Sequence, residues 1–173
     1  MQVQLGYTKM TQEFLLSNAD KFLGKQIALT DWLTINQDQV DRFGEVTRWT
    51  PWMHTDPVRC AEESPYGGTL VHGFFIVSLI TYFMEGSGVR PKDGAYSLNY
   101  GMDKVRVLRP VITGSGVCLR DRIKLIGVTD RGEGKRLLKT SHEFEVEGQK
   151  CPSVYVEYLN FWFPKAQDQV ANH

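Results

Sequence analysis

The stretch Pro65-Tyr66-Gly67-Gly68-Thr69-Leu70-Val71-His72-Gly73-Phe74-Phe75-Ile76-Val77-Ser78-Leu79-Ile80 decides the fold. Two glycines punctuate a turn. An almost unbroken apolar run follows and ends at Gly86 and Gly88, so a helix over 71–85 is predicted. Phe74, Phe75, Ile76, Val77, Leu79, Ile80 and Phe83 leave it no polar face, and such a helix needs burial on most sides. The run is too short to span a membrane and carries His72, Ser78 and Thr81. It reads as the central helix of a globular core.

Downstream the period changes from helix to strand. Segments 95–100, 104–108, 116–128, 137–147 and 154–163 read as strands, several with alternating polarity. Along 138–146, Leu138, Thr140, His142, Phe144 and Val146 are expected inside, and Lys139, Ser141, Glu143 and Glu145 outside. The glycine-rich segment 129–134 suits a hairpin, and Asn99-Tyr100-Gly101 reads as a turn between the first two strands. An α+β fold follows, with an antiparallel sheet wrapped round one apolar helix.

Upstream, residues 11–23 carry Phe14, Leu15, Ala19, Phe22 and Leu23 at helical spacing, with Gly24 as a stop. Segment 25–34 reads as a strand. Asn36 caps a short helix, Gln39 completes a capping box, and Val40, Phe43 and Val46 form its inner face. That helix must end before Pro51, which lacks an amide hydrogen and pushes Thr50 out of helical geometry, so 47–53 is a loop. The organisation expected is a helical extension over 1–24, one domain over 25–164 and a polar tail over 165–173.

Composition narrows the class. Twenty Lys and Arg balance twenty Asp and Glu among 173 residues, so no basic surface advertises nucleic acid or an acidic membrane. The amino terminus lacks a signal-peptide pattern, which makes the cytoplasm the default expectation. Cys60, Cys118 and Cys151 are odd in number and far apart, with neither a CxxC pair nor zinc spacing. They read as reduced thiols, with Cys60 most simply a small buried residue. No metal or cofactor is called for.

The chemistry concentrates in 49–74. His54 stands in a loop, beside the glycine-rich entry of the central helix, where unpaired backbone N–H groups can polarise a carbonyl. That pairing points to chemistry on an acyl group. Gly73 or a neighbour is the candidate for the amide.

Phe43-Gly44-Glu45-Val46-Thr47, Trp52-Met53-His54-Thr55-Asp56-Pro57, the 65–74 stretch and Asn99-Tyr100-Gly101-Met102-Asp103-Lys104-Val105-Arg106 together resemble the MaoC-like hydratases and dehydratases, in their NodN-like branch. The likeness runs from about residue 25 to 164. It implies a hot-dog fold, a dimer formed through sheet edges, and an acyl thioester substrate on coenzyme A or an acyl carrier protein. It also implies a lyase that adds or removes water at the double bond next to the thioester. His54 matches the family's catalytic histidine. The family's catalytic aspartate falls at Trp49, the preceding glycine at Arg48, and the usual amide residue two places after the aspartate at Pro51. Indole offers an N–H donor and an apolar face where a carboxylate accepts protons.

Three arrangements fit this departure. His54 alone serves as acid and base, with Trp49 and Trp52 lining a pocket for a bulky, flat or unsaturated chain such as a polyketide intermediate, which is dehydrated, isomerised or cyclised. Alternatively Glu45, Asp56 or Asp103 supplies the carboxylate. In the third arrangement the chain is an inactive hot-dog subunit or an acyl-binding partner of an active homologue. The candidate catalytic set is His54, Gly73 and Ser78, the last standing where the family carries a serine near its site. Trp49, Trp52, Met53, Tyr66, Phe74, Arg48, Lys104 and Arg106 are the candidate substrate contacts, the last two with Arg109 as holders of phosphate.

Overall fold

The computed structural model describes residues 13–166. One six-stranded antiparallel sheet is formed by β1 (Gln26–Leu29), β2 (Leu33–Ile35), β3 (Gly94–Val107), β4 (Val117–Asp130), β5 (Arg136–Val146) and β6 (Val154–Pro164). Its order is β1-β4-β5-β6-β3, with β2 also on β4. Helices α1 (Gln37–Thr47), α2 (Trp52–Thr55) and α3 (Pro57–Glu63) precede a helical rod made of α4 (Gly73–Ser78) and α5 (Ile80–Gly86). The rod lies across the sheet, α4 against β6 and α5 against β4.

Register shifts in the β3, β4 and β1 pairings bend the strands, since an extra residue on one side of a ladder kinks it. The concave face thus made buries Ile76, Val77, Ile80 and Phe83 of the rod with Leu119, Phe144, Val154, Val156 and Tyr158 of the sheet. A second cluster unites Leu16, Ala19 and Phe22 with Ile123, Leu125, Leu138 and Trp162.

Several local expectations are corrected. The helix expected over 71–85 starts at Gly73 and breaks at Leu79, where the Leu79 N–H turns back to the Ile76 carbonyl at 3.1 Å and the Ser78 hydroxyl donates to the Phe75 carbonyl at 2.7 Å. The strand expected over 25–34 is two strands, both paired to β4. Residues 99–101 form no turn: β3 runs through them, absorbing the irregularity as a bulge between Asn99 and Gly101. The amino-terminal helix is a 3-10 helix, Leu16–Phe22, whose first amides are held by Asp93 (Leu16 N–H to Oδ1, 2.6 Å); residues 11 and 12 of that expectation lie outside the described residues. Val46 is 84% exposed rather than inward, and Ser141 is buried, a small side chain on a strand that lies between two others.

The capping box is present, Asn36 accepting from the Gln39 amide at 3.1 Å while the Gln39 side chain accepts from the Asn36 amide at 2.9 Å. All three cysteines carry free thiols. Among the described residues no helix is long and apolar enough to cross a membrane.

Candidate active site

His54 sits in α2, a single turn begun after Pro51. Three bonds fix it. Its Nδ1 donates to the Leu70 carbonyl at 2.7 Å, the Leu70 N–H donates to the Met53 carbonyl at 2.9 Å, and Gln37 Nε2 donates to the carbonyl of His54 itself at 2.6 Å. Gln37 also donates to Asp41 at 2.8 Å and accepts from the Thr69 hydroxyl, so one amide ties α1, α2 and the segment entering α4. A carbonyl only accepts, so Nδ1 must carry the ring proton. Nε2 is left with its lone pair.

A second imidazole supports the first. His72 stacks on His54 with ring centroids 3.8 Å apart and planes 18° from parallel. Phe43 packs on His72 at 5.3 Å and on Phe75 at 5.1 Å. His72 is buried, and its Nε2 has no hydrogen-bond partner among the described residues. Burial first, and the adjacent His54 second, hold its pKa below the ordinary histidine value of 6.5. The folded state therefore keeps His72 neutral where the unfolded chain protonates it, so this contribution to stability is complete above about pH 6.5 and is lost as pH falls through the folded value. The denaturation midpoint is expected to drop more between about pH 7.5 and pH 5.5 in the parent than in His72→Phe, which keeps a flat ring without the titration. Equal drops in urea unfolding would contradict this.

His54 opens on a cavity of about 510 Å³ between the start of α4, the C-terminal half of β3 and the segment after it. Leu70, Val71, Ile76, Val77, Val105, Val107, Leu108, Pro110 and Val111 make its walls apolar, and Arg109 adds a cation. Gly73 lines it as well, at the first turn of α4, where backbone N–H groups have no carbonyl within the helix and no side chain caps them. A Cβ on Gly73 would come within 2.8 Å of a Val107 methyl, so close packing against β3 itself requires glycine here.

The cavity unites His54, Gly73, Tyr66 and Phe74 of the expected set. The others lie elsewhere. Trp49 is 64% exposed and absent from the lining, as are Trp52 and Met53; Trp52 lies under the Arg59 guanidinium at 4.3 Å. Arg48 ends α1 in left-handed geometry (φ 56°). Ser78 is exposed and satisfied within its own helix. Lys104 faces the Tyr155 ring at 5.3 Å, and the Arg106 guanidinium donates to the Val105 carbonyl at 2.8 Å.

Among the described residues no carboxylate lines the cavity. Asp56 caps α3 by accepting from the Arg59 amide at 3.0 Å, Asp103 pairs with Lys139 at 2.9 Å, and Glu45 is exposed. Sequence reasoning missed the His54–His72 stack and the β3 wall, although Val105-Arg106-Val107 shows the alternation of a half-buried strand. It also missed Gln37, for which the sequence carries no signal beyond proximity to the helix cap.

The family profile described as MaoC like domain matches residues 19–143. The chain belongs to the MaoC-like dehydratase family. It is 32% identical over 149 residues to nodulation protein N of Rhizobium leguminosarum bv. viciae, covering 85% of this chain and 90% of that protein. It is also 36% identical over 136 residues to 3-hydroxyacyl-thioester dehydratase Z of Mycobacterium tuberculosis, covering 79% and 87%. The unliganded R-hydratase PhaJ1 of Pseudomonas aeruginosa superposes with a TM-score of 0.63 at 18% identity, over 80% of this chain and 79% of that one, which makes the fold a hot dog. As in sequence, so in architecture this is a MaoC-like, NodN-like hydratase-dehydratase domain.

Proposed function

We propose that this MaoC-like protein is a lyase for a bulky acyl thioester, with His54 as its single acid and base. The observation that carries the reading is the His54 Nδ1 bond to the Leu70 carbonyl, which leaves Nε2 basic beside an apolar cavity. In the dehydrating direction Nε2 takes the proton from the carbon next to the thioester, the double bond forms as the C3–oxygen bond breaks, and the same proton leaves on the departing hydroxyl as water. Negative charge building on the thioester oxygen is met by the Gly73 amide. Tyr66 and Phe74 flank the chain, and Arg109 at the cavity faces the phosphates of the carrier.

The thioester carrier is coenzyme A or an acyl carrier protein, and no cofactor takes part. A second copy of the chain completes the assembly through β3, an edge strand of 14 residues that exposes Tyr96, Leu98, Tyr100 and Met102. Sedimentation is expected to give twice the chain mass.

The lack of a carboxylate at the cavity favours a second reading, in which the chain binds acyl groups without turning them over, or partners an active homologue. Turnover of enoyl and 3-hydroxyacyl thioesters, followed by loss or gain of the conjugated double bond, separates the two. An active parent on simple enoyl-CoA substrates overturns the specialised reading.

A further inference from the structure

One hydrogen bond does not aim an imidazole. The bond from His54 Nδ1 to the Leu70 carbonyl, 2.7 Å long, fixes the tautomer but tolerates a swing of about 30° before it weakens, and the outer torsion of a histidine side chain has a broad well. Nε2, across the ring, sweeps with any such swing. A reacting group displaced by about 1 Å can lose roughly a hundredfold in rate, so a second restraint on the plane of the ring matters.

That restraint comes from the face of the ring. His72, the residue before α4, lies nearly parallel to His54, with 3.8 Å between centroids and 18° between planes, which is direct contact of one ring on the other. His72 has little room to give way. It is 5% exposed, Phe43 of α1 packs on it at 5.3 Å and on Phe75 of α4 at 5.1 Å, and a Cβ added at Gly44 of α1 would come within 3.4 Å of its Nε2. Two helices thus hold the ring that holds His54.

His72 takes no direct part in the chemistry, since its Nε2 is enclosed and it is not among the residues that line the cavity. Its ring nevertheless suits a neighbour whose charge changes. When His54 takes a proton from the substrate it becomes a cation, and a second cation 3.8 Å away would oppose that step. His72, kept neutral by burial, does not.

We infer that His72 is a positioning residue, its ring setting the plane of the His54 imidazole and so the direction in which Nε2 meets the acyl chain. This role deepens the lyase reading and rests on it for what Nε2 does. His72→Leu, which removes the flat ring, is expected to lower kcat on an enoyl or 3-hydroxyacyl thioester by about tenfold or more while KM stays within about twofold, because no wall of the cavity is altered. His72→Phe restores a ring and is expected to recover kcat to within about threefold of the parent. Carbon-13 relaxation of labelled histidine rings supplies a readout that needs no turnover: the His54 ring of the parent is expected to be as rigid as the backbone, with an order parameter of about 0.85, and to fall below about 0.6 in His72→Leu but not in His72→Phe. Parental kcat or an unchanged His54 ring in His72→Leu, a loss that His72→Phe does not recover, or a mobile His54 ring in the parent overturns the inference, the last even where neither variant folds. A ring rigid in the parent and loosened in His72→Leu, with no turnover of any enoyl thioester by the parent, would sink the lyase reading alone.

Discussion

His54→Ala is expected to lose turnover of a 3-hydroxyacyl or enoyl thioester by about a thousandfold or more, because in the proposed lyase one imidazole both takes and returns the proton and, among the described residues, no carboxylate lines the cavity to replace it. The fold is expected to survive. The substitution removes one hydrogen bond to the Leu70 carbonyl and one stacked face on His72, a loss of about 1–2 kcal/mol, while the main-chain bonds from Gln37 and Leu70 persist. Circular dichroism of the variant should match the parent as the rate of double-bond loss or formation collapses. A variant with undiminished rate would take His54 out of the chemistry and leave the cavity as a binding site.

The largest stability effect is expected at Asp121→Ala, far from that chemistry. Asp121 and His142 are both fully buried on neighbouring strands β4 and β5, Nδ1 of His142 lying 2.6 Å from the carboxylate and its Nε2 2.8 Å from the Thr140 hydroxyl. The backbone on either side is locked, since the Asp121 N–H donates to the Thr30 hydroxyl at 2.8 Å and the Thr30 N–H to the Asp121 carbonyl at 3.0 Å. Truncating the carboxylate strands an imidazole N–H in the core. Breaking such a pair costs about 3–5 kcal/mol, a fall of roughly 10 °C in Tm for a chain of this length. The double variant Asp121→Leu/His142→Phe, which removes both polar partners, is expected to recover most of the loss. Thermal unfolding that places the single variant within about 2 °C of the parent would show that the pair contributes little.

Much of this was legible because the signals are local. Asn36 and Gln39 form their reciprocal cap from side chains three residues apart, and the apolar rod announces itself by having no polar face. His142 is inward by alternation alone. Asp56-Pro57 starts α3 with a capping carboxylate followed by a proline suited to the first helical position, a signal the sequence reading left unused. What stayed hidden depends on tertiary placement. Trp49 is outside because the end of α1 is turned by left-handed Arg48, Val46 is on the exposed side of α1 itself, and the small Ser141 is buried on a strand with neighbours on both edges. Position 49 in sequence says which residue replaces the family's aspartate; the route of the backbone decides whether the replacement meets the ligand.

The acceptor that orients His54 is a peptide carbonyl, not a side chain. No substitution at residue 70 can delete that oxygen, so the tautomer is insulated from mutational drift in the residues around it. The apolar walls are then free to be recut for chains of new shape without disturbing the proposed base. A scaffold wired in this way lends itself to diversification of substrate while the imidazole's orientation stays fixed.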